Sequence, residues 1–441
     1  MTLLTRRMLQ NKMSRLCHGR EPSALFDQAL VSGSNFLTNV ILARALGVSE
    51  YGVFALIWAC VLIANSLQWA FVVTPMMSVG PKQEEGDRPA YFGVVLLHEA
   101  IFAFLSALAI FSGIILVNIY VPQWNLKNLS LPLIFATFCY QTQDFLRRYF
   151  FSVRSSNRAL VCDAISYLTQ IPIIIVLAHM PHFSVSLALW VIGITSLAGF
   201  AFAFRWIERW TLDLDALKSV SVRHWKISRW IAPSALMQMG CSNLFTMAAP
   251  IYYGTAAAGI LRAAQNIVGV SHIWVIGLDN VVPAEAAHIM HRSGVDATFA
   301  YIKSVFIRWG LISAAFALIV AAFPTFWLHL VYGDKYAEYG YVLQLFAVMY
   351  VIGFLSLPLR AALQAIEYTA PIFWSYSAMA VFSILAAGPF AKRLGLAGAI
   401  LGMIAAQIIF QSVVGVALFF RVRKERSPVI AGKVSESVLD Q

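Results

Sequence analysis

The chain has 441 residues, 60% of them hydrophobic and 12% charged, with a mean hydropathy of +0.73, whereas a soluble domain is about 45–50% apolar and about 25% charged. That balance excludes an ordinary soluble domain and points to a polytopic membrane protein. Lys and Arg number 32 against 21 Asp and Glu, a formal charge of +11; in such a chain basic excess reports topology and anionic lipid before nucleic acid, and no nucleic-acid motif accompanies it.

Residues 1–23, MTLLTRRMLQNKMSRLCHGREPS, lack both the sustained apolar stretch and the small-residue cleavage site of a signal peptide. They read as a basic cytoplasmic tail. Leu4, Met8, Leu9, Met13 and Leu16 either line a short helix on an acidic membrane surface or belong to a disordered arm. A bilayer core takes about 20 mainly apolar residues per helix. At that length the chain offers twelve segments, at 24–44, 53–73, 91–117, 129–149, 159–178, 184–204, 229–251, 256–278, 303–323, 339–359, 367–389 and 394–420. An even number puts both ends on one side. This division collects 26 of the 32 Lys and Arg on the side of the termini and five on the other, with Arg262 in mid-helix. By the positive-inside rule both termini are expected in the cytoplasm.

The expected organisation is an N-lobe of six helices at 24–204, a linker at 205–228, a C-lobe of six helices at 229–420 and a cytoplasmic tail at 421–441. The linker, beginning RWIERWTLDLDALKSVSVRHWK, mixes Trp, Leu and basic residues as interfacial amphipathic segments do. The outer loops are short, which argues against a polysaccharide polymerase or a membrane glycosyltransferase. Five cysteines, an odd number and mostly within apolar runs, read as packing residues and not a disulfide framework.

The halves look like repeats. SNFLTNVILARALGVSEYGVFAL from Ser34 aligns with SNLFTMAAPIYYGTAAAGILRAA from Ser242, so that Ser34, Asn35 and Thr38 match Ser242, Asn243 and Thr246. After a one-residue slip Gly47 and Gly52 match Gly254 and Gly259. RYFFSVRSSNRAL from Arg148 and RAALQAIEYTAPI from Arg360 form a second pair. Six helices per repeat give the halves parallel topology.

The Ala-Arg-x-Leu-Gly and Glu-Tyr-Gly elements at Ala43–Gly47 and Glu50–Gly52, with DFLRRYFFSVRSSNR at Asp144–Arg158, resemble the polysaccharide transporter (Wzx-like flippase) branch of the multidrug/oligosaccharidyl-lipid/polysaccharide exporter (MOP) superfamily. The resemblance implies an all-α integral membrane fold, two six-helix lobes around a central cavity as in MATE transporters. It also implies flipping of undecaprenyl-diphosphate-linked oligosaccharide across the bacterial inner membrane by alternating access, for exopolysaccharide or O-antigen-type biosynthesis. Its partners would be the polyprenyl-diphosphate-linked oligosaccharide, membrane lipid, and polysaccharide polymerase and export machinery. The alternatives are a multidrug-type cation antiporter of the same superfamily and a non-transporting scaffold of polysaccharide assembly.

Such a cargo couples an anionic diphosphate and a hydroxyl-rich sugar to an apolar tail, so it calls for a polar, cationic lumen. Charged groups at the bilayer centre cost about 2.5–3.5 kcal/mol on insertion scales and tend to face cavities or partners. Arg262, with Gln265 and Asn266 one turn on, offers a guanidinium fork and amides suited to phosphate and sugar; the alternative is an arginine snorkelling to the interface or paired with a carboxylate. Arg44, Arg308 and Arg360 lie nearer helix ends. Asn35, Asn39 and Asn243 either meet sugar or bond between helices. Arg147, Arg148, Arg154 and Arg158 read as a basic cytoplasmic face, Asp144 being placed to pair with the first two. Asp27, Glu99 and Asp163 are the candidates for carrying a coupling proton or sodium ion. His179 with His182, and His288 with His291, lack the further ligands a metal needs, and no nucleophile elbow, P-loop or paired-carboxylate motif occurs. Neither an enzyme nor a cofactor is expected.

Overall fold

The computed structural model describes residues 21–122, 126–366, 368 and 370–425. The N-terminal tail to residue 20 and the C-terminal tail from residue 426 lie outside the described residues. Among these, all regular structure is helical. In chain order the helices are α1 (Glu21–Gln68), a π-helical turn (Trp69–Val73), α2 (Thr74–Val79), α3 (Arg88–Tyr120), α4 (Ser130–Ser152), α5 (Ser156–Ala178), α6 (Val185–Phe204) and α7 (Leu214–Tyr253). They continue as α8 (Thr255–Gly269), α9 (His272–Ala322), α10 (Pro324–Tyr332), α11 (Asp334–Ala337), α12 (Gly340–Phe354), α13 (Ser356–Ala365) and α14 (Ala370–Glu425). Short 3₁₀ turns at Gly80–Lys82 and Leu126–Leu129 complete the set.

Among the described residues seven stretches are long and apolar enough to cross a membrane by length and composition, against twelve segments read from the sequence. Part of the difference is that Gly47 in α1 and Gly395 in α14, each with positive φ, join two expected segments in one continuous stretch, whereas the segment expected at 256–278 is broken between Gly269 and His272. Part is composition. α4 carries Gln141, Gln143, Asp144, Arg147 and Arg148 in its second half, which lowers its apolarity while its 23 residues remain unbroken helix.

Gly47 sits at φ 77°, ψ 175° and Gly254 at φ 75°, ψ 174°, a region open essentially to glycine alone. These are the two residues that the repeat alignment equates. A single residue reverses the chain at each place, so the following helix starts without a loop. Asn39 fastens the first of these corners: its Nδ2 donates to Asn35 O at 2.8 Å, and its Oδ1 accepts from Tyr51 Oη at 2.9 Å.

The chain divides into two compact units, Met1–Met239 and Gly240–Gln441. In the first, α1 packs on α5, and α4 on α6, with α3 against α4. Its aromatic core includes Tyr91, Phe92, Phe145, Tyr149 and Phe150. In the second, α9 packs on α12 and α13, and α12 on α14.

The connection after α6 is strapped to the first unit. Arg158 Nη1 donates to Trp206 O at 3.1 Å, the Glu208 amide to Tyr149 Oη at 3.1 Å, and the Thr211 amide to Pro89 O at 3.0 Å. Glycine at position 93 allows the approach, since a Cβ there would lie 2.1 Å from Thr211 O. Asp213 then starts α7, its Oδ1 accepting from the Asp215 and Ala216 amides at 2.8 and 3.3 Å, which satisfies two of the orphan donors of the first turn. Further along, His224 Nε2 meets Tyr91 Oη at 3.0 Å, His98 Nε2 meets Ser221 Oγ at 2.9 Å, and the two imidazole centroids are 5.5 Å apart.

Candidate functional site

In the first unit α1, α4, α5, α7 and the π turn enclose a cavity of 460 Å³ lined by Gln28, Asn65, Ser66, Trp69, Thr74, Tyr140, Asp144, Arg147, Arg148, Tyr167 and Gln238 among others. The π turn places one of these residues. It inserts an extra residue into the helix after Gln68, the kind of irregularity that re-aims side chains at functional sites. Trp69 then reaches Asp144, with Nε1 donating to Oδ2 at 3.2 Å. Arg148 lies over the indole, its guanidinium carbon 4.2 Å from the ring centroid.

Behind this surface is a buried charge cluster. Asp27 Oδ2 accepts from Arg147 Nε at 2.8 Å and lies 2.7 Å from Nη2. Asp163 Oδ2 is 2.8 Å from the same Nε, and Asp163 Oδ1 accepts from Gln143 Nε2 at 2.6 Å. Arg147 Nη2 also donates to Gln28 Oε1 at 3.3 Å. Asp144 lies 3.7 Å from Arg147 and 3.6 Å from Arg148. The side chains of Asp27 and Asp163 are 0% exposed, that of Arg147 is 6% and that of Arg148 is 19%. Asp27 and Asp163 are thus paired at the back, while Arg147, Arg148, Asp144, three aromatic rings and several amides line the hollow. Such a lining can hold an anion through Arg148, stack on the apolar face of a ring, and bond hydroxyls.

Arg147 corrects one expectation. Its place beside Arg148 and before Arg154 and Arg158 suggested a cytoplasmic face, yet α4 runs on to Ser152 and turns Arg147 inward towards Asp27 on α1 and Asp163 on α5. Arg154 and Arg158 are exposed. Glu99 is buried on α3, with Oε1 accepting from Gln68 Nε2 at 2.7 Å; the same amide donates to Gln141 O at 2.8 Å. Of the three carboxylates singled out from the sequence, Asp27 and Asp163 meet on one arginine and Glu99 meets an amide.

The other sequence candidates are dispersed. Arg44 and Arg308 are exposed, whereas Asn35 and Asn243 are half-buried. Arg262 is half-buried on α8 and donates from Nη1 to Gln265 Oε1 at 3.4 Å, beside half-buried Asn266. Arg360 grips Asp279 with Nη2 at 3.0 and 2.8 Å from its two oxygens. Its repeat partner Arg148 lies over Trp69 as well as 3.6 Å from Asp144. Gln265 alone of these lines the second unit's cavity of 370 Å³. Reading charges alone missed Gln28, Asn65, Trp69, Tyr140, Tyr167 and Gln238. Part of the signal was present: Tyr140, Asp144, Arg147 and Arg148 recur at three- and four-residue spacing, along one stripe of the helix. Among the described residues no group of three His, Cys, Asp or Glu is placed to hold a metal ion.

No protein-family profile matches the sequence, and no curated protein sequence does. Solved structures do match. An inward-facing multidrug resistance MATE family transporter of the MOP superfamily superposes with a TM-score of 0.70 at 13% identity, over 89% of this chain and 95% of its own. The eukaryotic MATE transporter AtDTX14 gives 0.64 at 13% identity, over 91% and 95%. A MOP superfamily transporter from Pyrococcus furiosus, described by a binding pocket of reverse polarity, gives 0.63 at 13% identity, over 92% and 95%. The chain has the all-helical fold of MATE transporters.

Proposed function

We propose that this chain is a flippase of the bacterial inner membrane, with both termini cytoplasmic, that carries polyprenyl-diphosphate-linked oligosaccharide across the bilayer by alternating access. The observation that carries the reading is the disposal of charge around the 460 Å³ cavity. Arg147 occupies the buried Asp27 and Asp163, and Asp144, the carboxylate in the lining, accepts from Trp69 and lies 3.7 and 3.6 Å from Arg147 and Arg148, so the surface offered to a ligand sets two guanidinium groups against one carboxylate, with Tyr140, Tyr167 and side-chain amides beside them. That surface suits a diphosphate and a sugar better than an organic cation, for which carboxylates must be available to the ligand. The Pyrococcus furiosus structure, with its pocket of reverse polarity, supports the idea that one fold carries cavities of either sign. A polysaccharide polymerase and export machinery would take up the delivered repeat units.

The test is reconstitution in liposomes of the full chain with a fluorescent polyprenyl diphosphate bearing a short glycan. Accelerated exposure of the label on the far leaflet, lost in Arg148→Ala, is the expected result. In the host, deletion should leave lipid-linked repeat units on the cytoplasmic leaflet. Unaltered glycan export combined with new drug sensitivity would overturn the proposal in favour of multidrug antiport. That rival draws on the convergence of Asp27, Asp144 and Asp163 on one arginine, a grouping that could exchange protons for a cation.

A further inference from the structure

The second unit contains a cavity of 370 Å³, within the roughly 300–1,000 Å³ typical of small-molecule sites. Two interrupted helices meet at it. α8 ends at Gly269 and α9 begins at His272, while α12 ends at Phe354 and α13 begins at Ser356; Ser271, His272, Gly353, Phe354 and Ser356 all line the hollow. Non-helical backbone at membrane depth is tolerated where it lines protein or a cavity, and broken helices are a common way to build a binding site there. The freed carbonyls are partly occupied from within, since Ser271 Oγ donates to Val268 O at 2.7 Å and Ser356 Oγ to Gly353 O at 2.8 Å. Side chains are therefore left to define the ligand.

They are of two kinds. Met349, Met379, Met403 and Phe354 give an apolar wall; Gln265, Gln407, Tyr350 and His272 give a polar edge without any acidic or basic head other than the imidazole. The His272 ring stacks on Tyr350 at 5.1 Å between centroids, with planes 29° apart. A pyranose has that same division, an apolar C–H face and a hydroxyl edge. An organic cation would find no carboxylate in this lining. Just outside it, Arg262 reaches in through Gln265, bonded at 3.4 Å, so positive charge stands next to the polar edge. An anion attached to the sugar would meet it there.

We infer that this cavity is a second station for the cargo, in addition to the Arg148 surface of the first unit, and that it reads the sugar nearest the diphosphate, with the His272–Tyr350 pair and Gln407 contacting the ring and Arg262, positioned by Gln265, contacting the phosphate of a cargo held at this station. The inference rests on the flippase reading and adds where glycan identity is checked. Its consequence is separability: ring contacts govern discrimination between glycans, whereas Arg262 governs affinity for any polyprenyl diphosphate.

The test uses the full chain in lipid nanodiscs and two synthetic probes, a polyprenyl diphosphate and the same lipid bearing one N-acetylhexosamine. Trp274 is a built-in reporter, since its Nε1 donates to Ser313 Oγ at 3.0 Å and Ser313 lines the cavity. Wild type should bind the sugar-bearing probe at least tenfold more tightly than the bare one. Tyr350→Ala and Gln407→Ala should abolish that ratio and leave affinity for the bare lipid within twofold, which also reports that they fold. Tyr350→Phe, which keeps the stack, should restore part of it. Arg262→Ala should weaken both probes alike. Discrimination surviving in both alanine variants, or absent from wild type while the bare lipid still binds, overturns the subsite and leaves the flippase reading standing. Wild type that binds neither probe overturns both.

Discussion

Arg147→Met is the most telling perturbation of the first unit. The substitution keeps length and apolar volume but removes the cation that Asp27 and Asp163 share, at 2.7 and 2.8 Å, from a site where both carboxylates are 0% exposed. Gln143 remains as a donor to Asp163, and nothing of opposite charge replaces the guanidinium. Removing one partner of a buried ion cluster costs about 3–5 kcal/mol because the remaining charge is stranded. For a unit of residues 1–239, at about 2–4 °C per kcal/mol, the melting temperature should fall by roughly 6–20 °C. Thermal unfolding in nanodiscs, followed by tryptophan fluorescence, reads this directly. Arg148→Met is the internal comparison. It is more exposed and its contact with Trp69 is worth about 1–2 kcal/mol, so its loss should be smaller. Adding Asp27→Asn and Asp163→Asn to Arg147→Met should recover most of the stability, because eliminating a whole buried ion cluster is often neutral. If Arg147→Met melts within about 2 °C of wild type, less than 1 kcal/mol, the cluster does not tie α1, α4 and α5 together.

Two further outcomes are expected. Gly47→Ala and Gly254→Ala should each lose about 1–3 kcal/mol by forcing a β-carbon into the region that glycine occupies at φ 77° and 75°; Gly113→Ala, in open helix, should instead gain about 0.5–1 kcal/mol by the same denaturation measurement. His224, buried on α7, has its imidazole pushed down to about 4 by burial first and then by His98 and Arg223. The neutral ring is therefore the docked form, so its contribution is fully present above pH 6.5 and is lost as the pH falls towards 4. Tyr91, His98 and Arg223 are the titratable groups facing it, and the two nearest side-chain charges oppose protonation. Protection factors over residues 214–228, with the intrinsic exchange rate divided out, should fall between pH 7 and 4.5, and His224→Phe should flatten that response; an identical slope in the variant would refute the assignment.

The all-helical character and the two equivalent corners were legible because they depend on short-range pattern. Apolar runs mark the rods, and Gly47 and Gly254 sit where the repeat alignment puts them. The pairing of Arg147 was not legible, because its partners lie 120 residues before it and 16 after it, a matter of tertiary packing that no local spacing encodes. Asp144, three and four residues from Arg147 and Arg148, was readable for the opposite reason. The π turn escaped as well. WAFVV has no composition that separates it from ordinary apolar helix, and only its register against α4 brings Trp69 to Asp144.

A hairpin closed by one glycine has no slack. One residue inserted next to Gly47 or Gly254 would rotate the following helix by about 100° about its axis, swinging whatever stripe it presents to its neighbours round towards lipid. Related chains that differ in length should therefore place their insertions in the open connections near 83–87 and 179–184, and keep these two corners free of gaps.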